Sequence, residues 1–214
     1  EDSIERINGI RWDNGFGTSL VVNNQEKQRL EVENVKVILT NYTFQNFAQI
    51  KSLLDNLVRN GHREIAIIAR AFKDEAIRLC MENHKVGIKV YPLNAPFVNQ
   101  GEIMRDIASV IGGKYYDQEN STLEDMTIDD VGTAKKLICQ RFSAIITGER
   151  EEVEGAITNT RILERIEELK KAAKGEESIF QKKAIETRIS QLTNGFALLK
   201  IGSTSDADRK YKYD

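Results

Sequence analysis

Neither sign of charge dominates this sequence, and no part of it is continuously apolar. Its 31 Lys and Arg residues nearly balance its 33 Asp and Glu residues, which leaves a net charge of −2 over 214 residues. A surface of mixed sign lacks the one-sided field that nucleic-acid or membrane binding usually needs, so we expect neither partner. No run approaches the roughly 18 apolar residues of a membrane span, and the first residues do not resemble a signal peptide. We therefore expect a cytoplasmic protein.

Histidine and cysteine are scarce, with two residues of each. Cys80 and Cys139 both lie among apolar residues, which favours buried thiols over a disulfide or a reactive pair. His62 and His84 show no metal-ligand spacing, so no metal site is predicted.

Motifs that carry catalysis are also missing. The sequence contains no Gly-x-Ser-x-Gly elbow, no phosphate-binding Gly-x-x-x-x-Gly-Lys-Ser/Thr loop and no His-Glu-x-x-His. Gly15 and Gly17 form a lone Gly-x-Gly, for which a turn is favoured over a phosphate site. We predict no catalytic residues, and a Rossmann-like enzyme for small molecules that uses this turn remains the less favoured alternative.

The middle of the chain alternates between β-branched runs and helical spacing. Residues 35–39, 65–69 and 88–91 read as strands of a largely parallel sheet, joined by a helix from Phe44 to Val58 and a second one at 73–85. This is the pattern of a βαβαβ unit. We expect the first helix to end at a left-handed cap at Asn60-Gly61.

Other elements surround this unit. A third helix at 103–111 ends at Gly112-Gly113, and a short helix is predicted near 129–135 before apolar runs at 137–139 and 144–147. Segments 18–22 and 29–32 suggest antiparallel strands at the sheet edge. Residues 151–194 predict an antiparallel helical hairpin capped at Asn194-Gly195, and 196–202 a strand. The predicted class is α/β, with mixed sheets flanked by helices and a C-terminal helical hairpin.

Some apolar residues fall outside the predicted core faces. Ile77 and Met81 lie off the main stripe of the second helix, and Phe16, Leu20 and Val21 lie in a segment interrupted by glycine. If they are exposed together, they form a patch for another chain. If they cover one another, they form a second small core, which periodicity alone slightly favours.

Several motifs, in order, resemble the apical domain of a group I chaperonin of the GroEL type. The segment 9–16, GIRWDNGF, is similar to the family's Gly-Met-x-Phe-Asp-x-Gly-Tyr opening, and 192–202, LTNGFALLKIG, is similar to Leu-x-Gly-Gly-x-Ala-x-Ile-x-Val-Gly. Shorter matches lie between them at 65–69, 74–77, 87–90, 94–96, 106–113 and 130–135. Their order and spacing over nearly the whole chain carry the resemblance.

The resemblance implies an apical domain over 1–195 and the start of the intermediate hinge domain over 196–214. It implies a domain that binds non-native polypeptides, and possibly a co-chaperonin lid, within a ring of identical subunits driven by ATP and Mg²⁺. The isolated chain is then expected to be a monomer without a cofactor, because nothing in it resembles the family's nucleotide-binding domain. By the resemblance, the binding positions are Phe16, Leu20, Val21, Lys51, Leu54, Ile77, Met81, Glu82 and Asn83.

The chain departs from the family pattern at the groove. Lys51 and Glu82 stand where the family usually has aliphatic residues, and the loop at 97–101 is shorter than the family's glycine-rich stretch. Charge on both helices also suits an interaction domain that recognises one particular partner. This alternative to a general chaperone stays open.

Overall fold

The computed structural model describes residues 3–7, 9–194, 196–200 and 211–213. Contacts divide the chain into two units, one comprising Glu1–Ile10 and Glu149–Asp214 and the other Arg11–Gly148. The predicted division into 1–195 and 196–214 is a functional one and stays a prediction. The described helices are α1 (Lys51–Arg59), α2 (Asp74–Lys85), α3 (Gln100–Ile111), α4 (Thr160–Gly175) and α5 (Ile179–Asn194).

The strands follow the chain in this order: β1 (Ser3–Ile7), β2 (Gly9–Trp12), β3 (Leu30–Thr40), β4 (Thr43–Phe44), β5 (Glu64–Ala69), β6 (Ala71–Phe72), β7 (Lys89–Asn94), β8 (Tyr115–Tyr116), β9 (Gly132–Cys139), β10 (Ala144–Thr147), β11 (Glu152–Val153), β12 (Ala156–Ile157), β13 (Phe196–Lys200) and β14 (Tyr211–Tyr213). Short 3₁₀ turns lie at Ser19–Val21, Ala48–Ile50, Leu123–Asp125 and Ile128–Asp130.

The Arg11–Gly148 unit is built on a seven-stranded mixed sheet. Its order is β2-β10-β9-β3-β5-β7, with β8 also paired to β3. β3, β5 and β7 are parallel neighbours, whereas β3 and β9 are antiparallel. The predicted βαβαβ unit and the mixed α/β class are therefore confirmed.

Strand order decides which face each helix covers. The chain steps from β3 to β5 to β7 in one direction, so right-handed crossovers put α1 and α2 on the same face. It then returns through α3 to β8 beside β3, which puts α3 on the opposite face. The core under α1 and α2 combines buried residues from the sheet, the helices and the turns, among them Ile38, Phe44, Leu53, Leu57, Ile67, Ala76 and Cys80.

Two local predictions were wrong. Residues 18–22 form no strand, because the Thr18 hydroxyl accepts a hydrogen bond from the Leu20 N–H and starts a 3₁₀ turn. Segment 29–32 does contribute an antiparallel strand, since Leu30–Val32 begin β3 and pair with β9, while β5 joins β3 only at Lys36–Leu39. Residues 129–135 form no helix: a 3₁₀ turn ends at Asp130 and β9 begins at Gly132.

The helix predicted from Phe44 is shorter than expected. Phe44 lies in β4, which pairs with β6, and its ring stacks on Phe72 with centroids 5.7 Å apart. α1 begins at Lys51, after the turn at Ala48–Ile50. The predicted left-handed end is present, since Gly61 has a φ of 87°.

The other unit contains the predicted helical hairpin, but not from residue 151: β11 and β12 pair over 152–157 and α4 begins at Thr160. α4 and α5 contact each other, and Ile162, Ile166 and Leu169 of α4 are buried. The Ser178 hydroxyl accepts a hydrogen bond from the Gln181 N–H at 3.4 Å, as expected at a helix start. β13 pairs with β1 from Phe196 to Lys200, and the Gly195 part of the predicted cap lies outside the described residues.

Candidate functional site

A groove of about 390 Å³ lies between α1 and α2 in the Arg11–Gly148 unit. One wall is a stripe of α1 residues spaced three and four apart, and the other is formed by α2. The floor comes from the first residues of β5 and β7. The lining residues are Asn46, Phe47, Ala48, Lys51, Leu54, Asp55, Val58, Ile65, Leu79, Asn83, Ile88 and Val90.

The groove exists because each helix buries only a narrow face. On α1, Leu53 and Leu57 are almost fully buried, at 5% and 0% exposure, while Leu54 and Val58 beside them remain half-buried. On α2, Ala76 and Cys80 are fully buried, while Leu79 and Asn83 turn toward the groove. Aliphatic side chains of both helices therefore stay accessible to a partner.

Aromatic rings close the groove at the end near Phe47. The Phe47 ring lies 5.5 Å from that of Phe44 and 6.5 Å from that of Phe72. Phe44 is fully buried, so this cluster belongs to the core and fixes the position of Phe47. This end of the groove is therefore built from rigid, well-packed side chains.

Charged residues accompany the aliphatic ones on α1. The Lys51 Nζ lies 3.2 Å from Asp55 Oδ2, and both residues line the groove. On α2, Arg78 Nη1 lies 3.2 Å from Glu82 Oε1, but neither residue is part of the lining. The groove is thus apolar with one ion pair in its α1 wall.

Two asparagines are held by the backbone. Asn46 Oδ1 accepts a hydrogen bond from the Ala48 N–H at 2.9 Å, and Asn83 Nδ2 donates one to the Leu79 carbonyl at 2.8 Å. A carbonyl only accepts and an N–H only donates, so these bonds fix which way each amide points. The bond from Ala48 therefore identifies the Asn46 oxygen and leaves its NH₂ group as a separate hydrogen-bond donor.

The predicted binding residues separate into two groups in the structure. Lys51, Leu54 and Asn83 line the groove together. Phe16, Leu20, Val21, Ile77, Met81 and Glu82 are not among its lining residues.

Ile77 and Met81 lie on the other side of the buried face of α2 from Leu79 and Asn83. They are half-buried, and Met81 packs against the core cluster. In the N-terminal segment, Leu20 is 68% exposed whereas Val21 is only 4% exposed, so the Val21 side chain belongs to the core. The binding role of all these positions stays a prediction.

Sequence reasoning missed nine of the lining residues, which are the polar Asn46 and Asp55 and the apolar Phe47, Ala48, Val58, Ile65, Leu79, Ile88 and Val90. Helical spacing places Phe47, Val58 and Leu79 on the helix faces that are predicted to be buried in the core. The available signal was the width of those stripes, since a helix with apolar residues over more than one face leaves some of them uncovered.

The Gly15–Gly17 turn is engaged with its own protein. The N–H groups of Gly15, Phe16 and Gly17 donate to Asn14 Oδ1, the Gln140 carbonyl and the Pro92 carbonyl, at 2.9, 3.2 and 2.7 Å. A phosphate site of the Gly-rich type needs free backbone N–H donors. This turn does not offer them, which weighs against the Rossmann-like alternative.

The thiols are buried, as predicted. Cys80 and Cys139 are both free and both have 0% exposure. Burial raises the pKa of Cys80 to about 12 and raises that of Cys139 as well. Neither thiol is therefore suited to nucleophilic or redox chemistry at neutral pH.

The part of the chain that the structure describes has neither a metal-ligand cluster nor a helix that could span a membrane. Within 3–7, 9–194, 196–200 and 211–213, no three His, Cys, Asp or Glu side chains are grouped to hold a metal ion. No helix in this part of the chain combines the length and the apolar character needed to cross a membrane.

Two of the known proteins that are similar to this chain are chaperonins. Over 216 aligned residues, the chain is 30% identical to the protein named chaperonin GroEL of Anaplasma marginale strain Florida, and equally to that of strain St. Maries. The alignments cover 99% of this chain but 38% of each relative, so the chain spans well under half the length of these proteins. No family model matches the chain.

Proposed function

Because this chain is a GroEL-like chaperonin segment along 99% of its length, we propose that it binds non-native polypeptides through the groove between α1 and α2. The observation that carries this proposal is the set of half-buried aliphatic side chains, Leu54, Val58, Leu79 and Ile88, that lines the groove. An unfolded chain has no fixed shape to complement. A non-directional apolar surface therefore gives affinity without strict sequence choice.

The rest of the proposal concerns the longer protein. We propose that 1–195 act as an apical domain and 196–214 as the start of a hinge domain, in a ring of identical subunits in the cytoplasm. A ring presents several grooves to one client, which raises the overall affinity without strengthening any single groove. A co-chaperonin lid would compete for the same apolar surface.

In this proposal, ATP and Mg²⁺ are bound by other parts of the longer protein and not by the residues of this chain. The glycine turn at 15–17 has its N–H groups engaged, and the described residues contain no cluster of metal ligands. We therefore assign no nucleotide-binding or hydrolytic role to these residues, and we expect the isolated chain to act as a monomer.

A second candidate is an interaction domain for one fixed partner. The Lys51–Asp55 ion pair in the groove wall favours it, because charge at a binding surface adds specificity. Competition separates the two candidates. Mutual displacement of unrelated denatured proteins from the groove would support the chaperone, whereas binding of a single protein that the others do not displace would support the dedicated partner.

The test is suppression of aggregation of two unrelated denatured proteins by the 214-residue chain. The groove variant is Leu54→Glu with Leu79→Glu, since both side chains line the groove and a carboxylate there must be desolvated against an apolar client. The matched control is Phe97→Glu, which removes an apolar side chain that is 79% exposed and not in the lining.

We expect the wild type and the control to hold both denatured proteins and the groove variant to hold neither. Circular dichroism establishes that all three chains are folded. A folded groove variant that still suppresses aggregation of both proteins would contradict the proposed site.

A further inference from the structure

The wall of the groove that α1 provides alternates between charged and aliphatic side chains. Lys51, Leu54, Asp55 and Val58 form one stripe along it. The Lys51 side chain is 77% exposed and that of Asp55 is 52% exposed. A polypeptide that inserts aliphatic side chains beside Leu54 must therefore place its neighbouring residues against these two charges.

Lys51 is the cation in the groove lining, and it lies at the end near Asn46. The Asn46 side-chain oxygen accepts a hydrogen bond from the Ala48 N–H, and the NH₂ group of this lining residue is a hydrogen-bond donor. No acidic residue lies in the first turn of α1. The ion pair with Asp55 at 3.2 Å uses one of the three N–H donors of the Lys51 ammonium, so further donors of this group are available to a client carboxylate.

We propose that the groove prefers polypeptide segments in which a carboxylate adjoins the aliphatic side chains, with the carboxylate bound at the end formed by Asn46 and Lys51. This inference rests on the proposed function, because it names the clients that the same groove selects. Lys51 donates to the client carboxylate while keeping its bond to Asp55, and the Asn46 NH₂ group is a second donor. The aliphatic neighbours of the carboxylate contact Leu54, Leu79 and the groove floor.

The experiment uses two short fluorescein-labelled peptides with a central Leu-Val-Leu-Ile sequence. They differ at a single flanking residue, which is Glu in one and Gln in the other, so size and hydrogen-bonding shape are matched. Binding to the 214-residue chain is followed by fluorescence anisotropy. We expect the Glu peptide to bind about two- to fivefold more tightly, the range set by one partly exposed charge pair, and this preference to shrink at high ionic strength.

The variant that tests the residue is Lys51→Gln, and the matched control is Arg78→Gln. Both remove one exposed cation that is paired with an acid four residues on, but only Lys51 lines the groove. For each protein, the affinity for the Glu peptide is divided by the affinity for the Gln peptide. A substitution that changes both affinities equally therefore leaves this ratio unchanged. We expect the ratio to fall to one in Lys51→Gln and to persist in Arg78→Gln.

The outcomes separate this inference from the proposed function. Tight binding of both peptides with equal affinity overturns the charge preference and leaves the groove as a general apolar site. A preference that survives Lys51→Gln overturns the role of this residue. If folded wild-type protein binds neither peptide, the proposed function fails and the inference fails with it.

Discussion

Replacing Gly15 with alanine tests the packing that holds the N-terminal segment against the sheet. A Cβ added at Gly15 would lie closer than 3.0 Å to the carbonyl oxygens of Gln140 and Arg141. These are backbone atoms between β9 and β10, so a side-chain rotation cannot relieve the overlap. The segment has to move away from the loop that it contacts.

The size of the effect follows from the bonds that this movement breaks. The Phe16 N–H donates to the Gln140 carbonyl at 3.2 Å, and the Gly15 carbonyl accepts from the Asn94 N–H at 2.8 Å. Each net hydrogen bond contributes about 1 kcal/mol, and overpacking a tight site adds about 1–3 kcal/mol. We therefore expect Gly15→Ala to lower the free energy of unfolding by about 3–5 kcal/mol.

Urea denaturation followed by tryptophan fluorescence measures this change, because Trp12 is 3% exposed and donates to the Asn94 carbonyl. Gly101→Ala is the matched control. Gly101 lies in the first turn of α3, and its added Cβ would be 3.4 Å from the end of the flexible Arg105 side chain. The control should be neutral or more stable by about 0.5–1 kcal/mol. If Gly15→Ala stayed within about 0.5 kcal/mol of the wild type, the range of an inconsequential surface change, the close approach described here would be incorrect.

Two other predictions concern titratable groups. Because Cys80 and Cys139 are fully buried with raised pKa values, a thiol reagent at mildly alkaline pH should label neither in the native chain and both in guanidinium; rapid native labelling would show that a thiol is accessible. Asp130 is partly buried, which opposes ionisation, but hydrogen bonds from Thr127 and Tyr116 outweigh burial and lower its pKa below the usual 3.8. A lowered pKa stabilises the fold above the unfolded value and this contribution disappears as pH falls through the folded pKa. Because a neutral amide oxygen accepts weaker hydrogen bonds than a carboxylate, Asp130→Asn should destabilise the chain by about 1 kcal/mol at pH 7 and by less under acid conditions. Equal losses at both pH values in urea titrations would count against this role of the carboxylate.

The sequence was sufficient to predict an element where the apolar pattern of that element matches its burial in the structure. Residues 65–69 are continuously apolar because β5 lies between β3 and β7 and is buried on both of its faces, and this pattern predicted a buried parallel strand. α2 and α3 were predicted within a few residues because their apolar spacing and their glycine ends agree. In these elements local preference and tertiary packing favour the same structure.

Periodicity failed where two different elements bury side chains in one core. Phe44, Phe47 and Ile50 follow helical spacing, but Phe44 is in a strand and Ile50 is in a 3₁₀ turn. All three side chains are buried in the same core cluster. Their spacing therefore reflects burial in one core and not membership of one helix. The hairpin of β11 and β12 was missed as well, although Glu154 and Gly155 both have positive φ, as a tight hairpin turn requires.

The groove could be predicted only in part for a related reason. Leu79 and Met81 are both half-buried residues at the sides of one helix, and the sequence does not say which side meets the neighbouring helix. That choice depends on strand order. Because β5 is followed by β7 on the far side from β3, the α2 side bearing Leu79 faces α1 across the groove.

The position of the groove floor has a mechanical consequence. Ile65 and Val90 are paired directly across β5 and β7, and α1 and α2 are the connections that lead into these two strands. Neighbouring strands keep a nearly constant spacing of about 4.8 Å, so the floor of the groove cannot widen without breaking the sheet. The floor is therefore a rigid surface, and the side chains of a bound polypeptide have to adapt to it. Little ordering of the protein is then needed at the moment of binding, and most of the conformational entropy is lost by the partner.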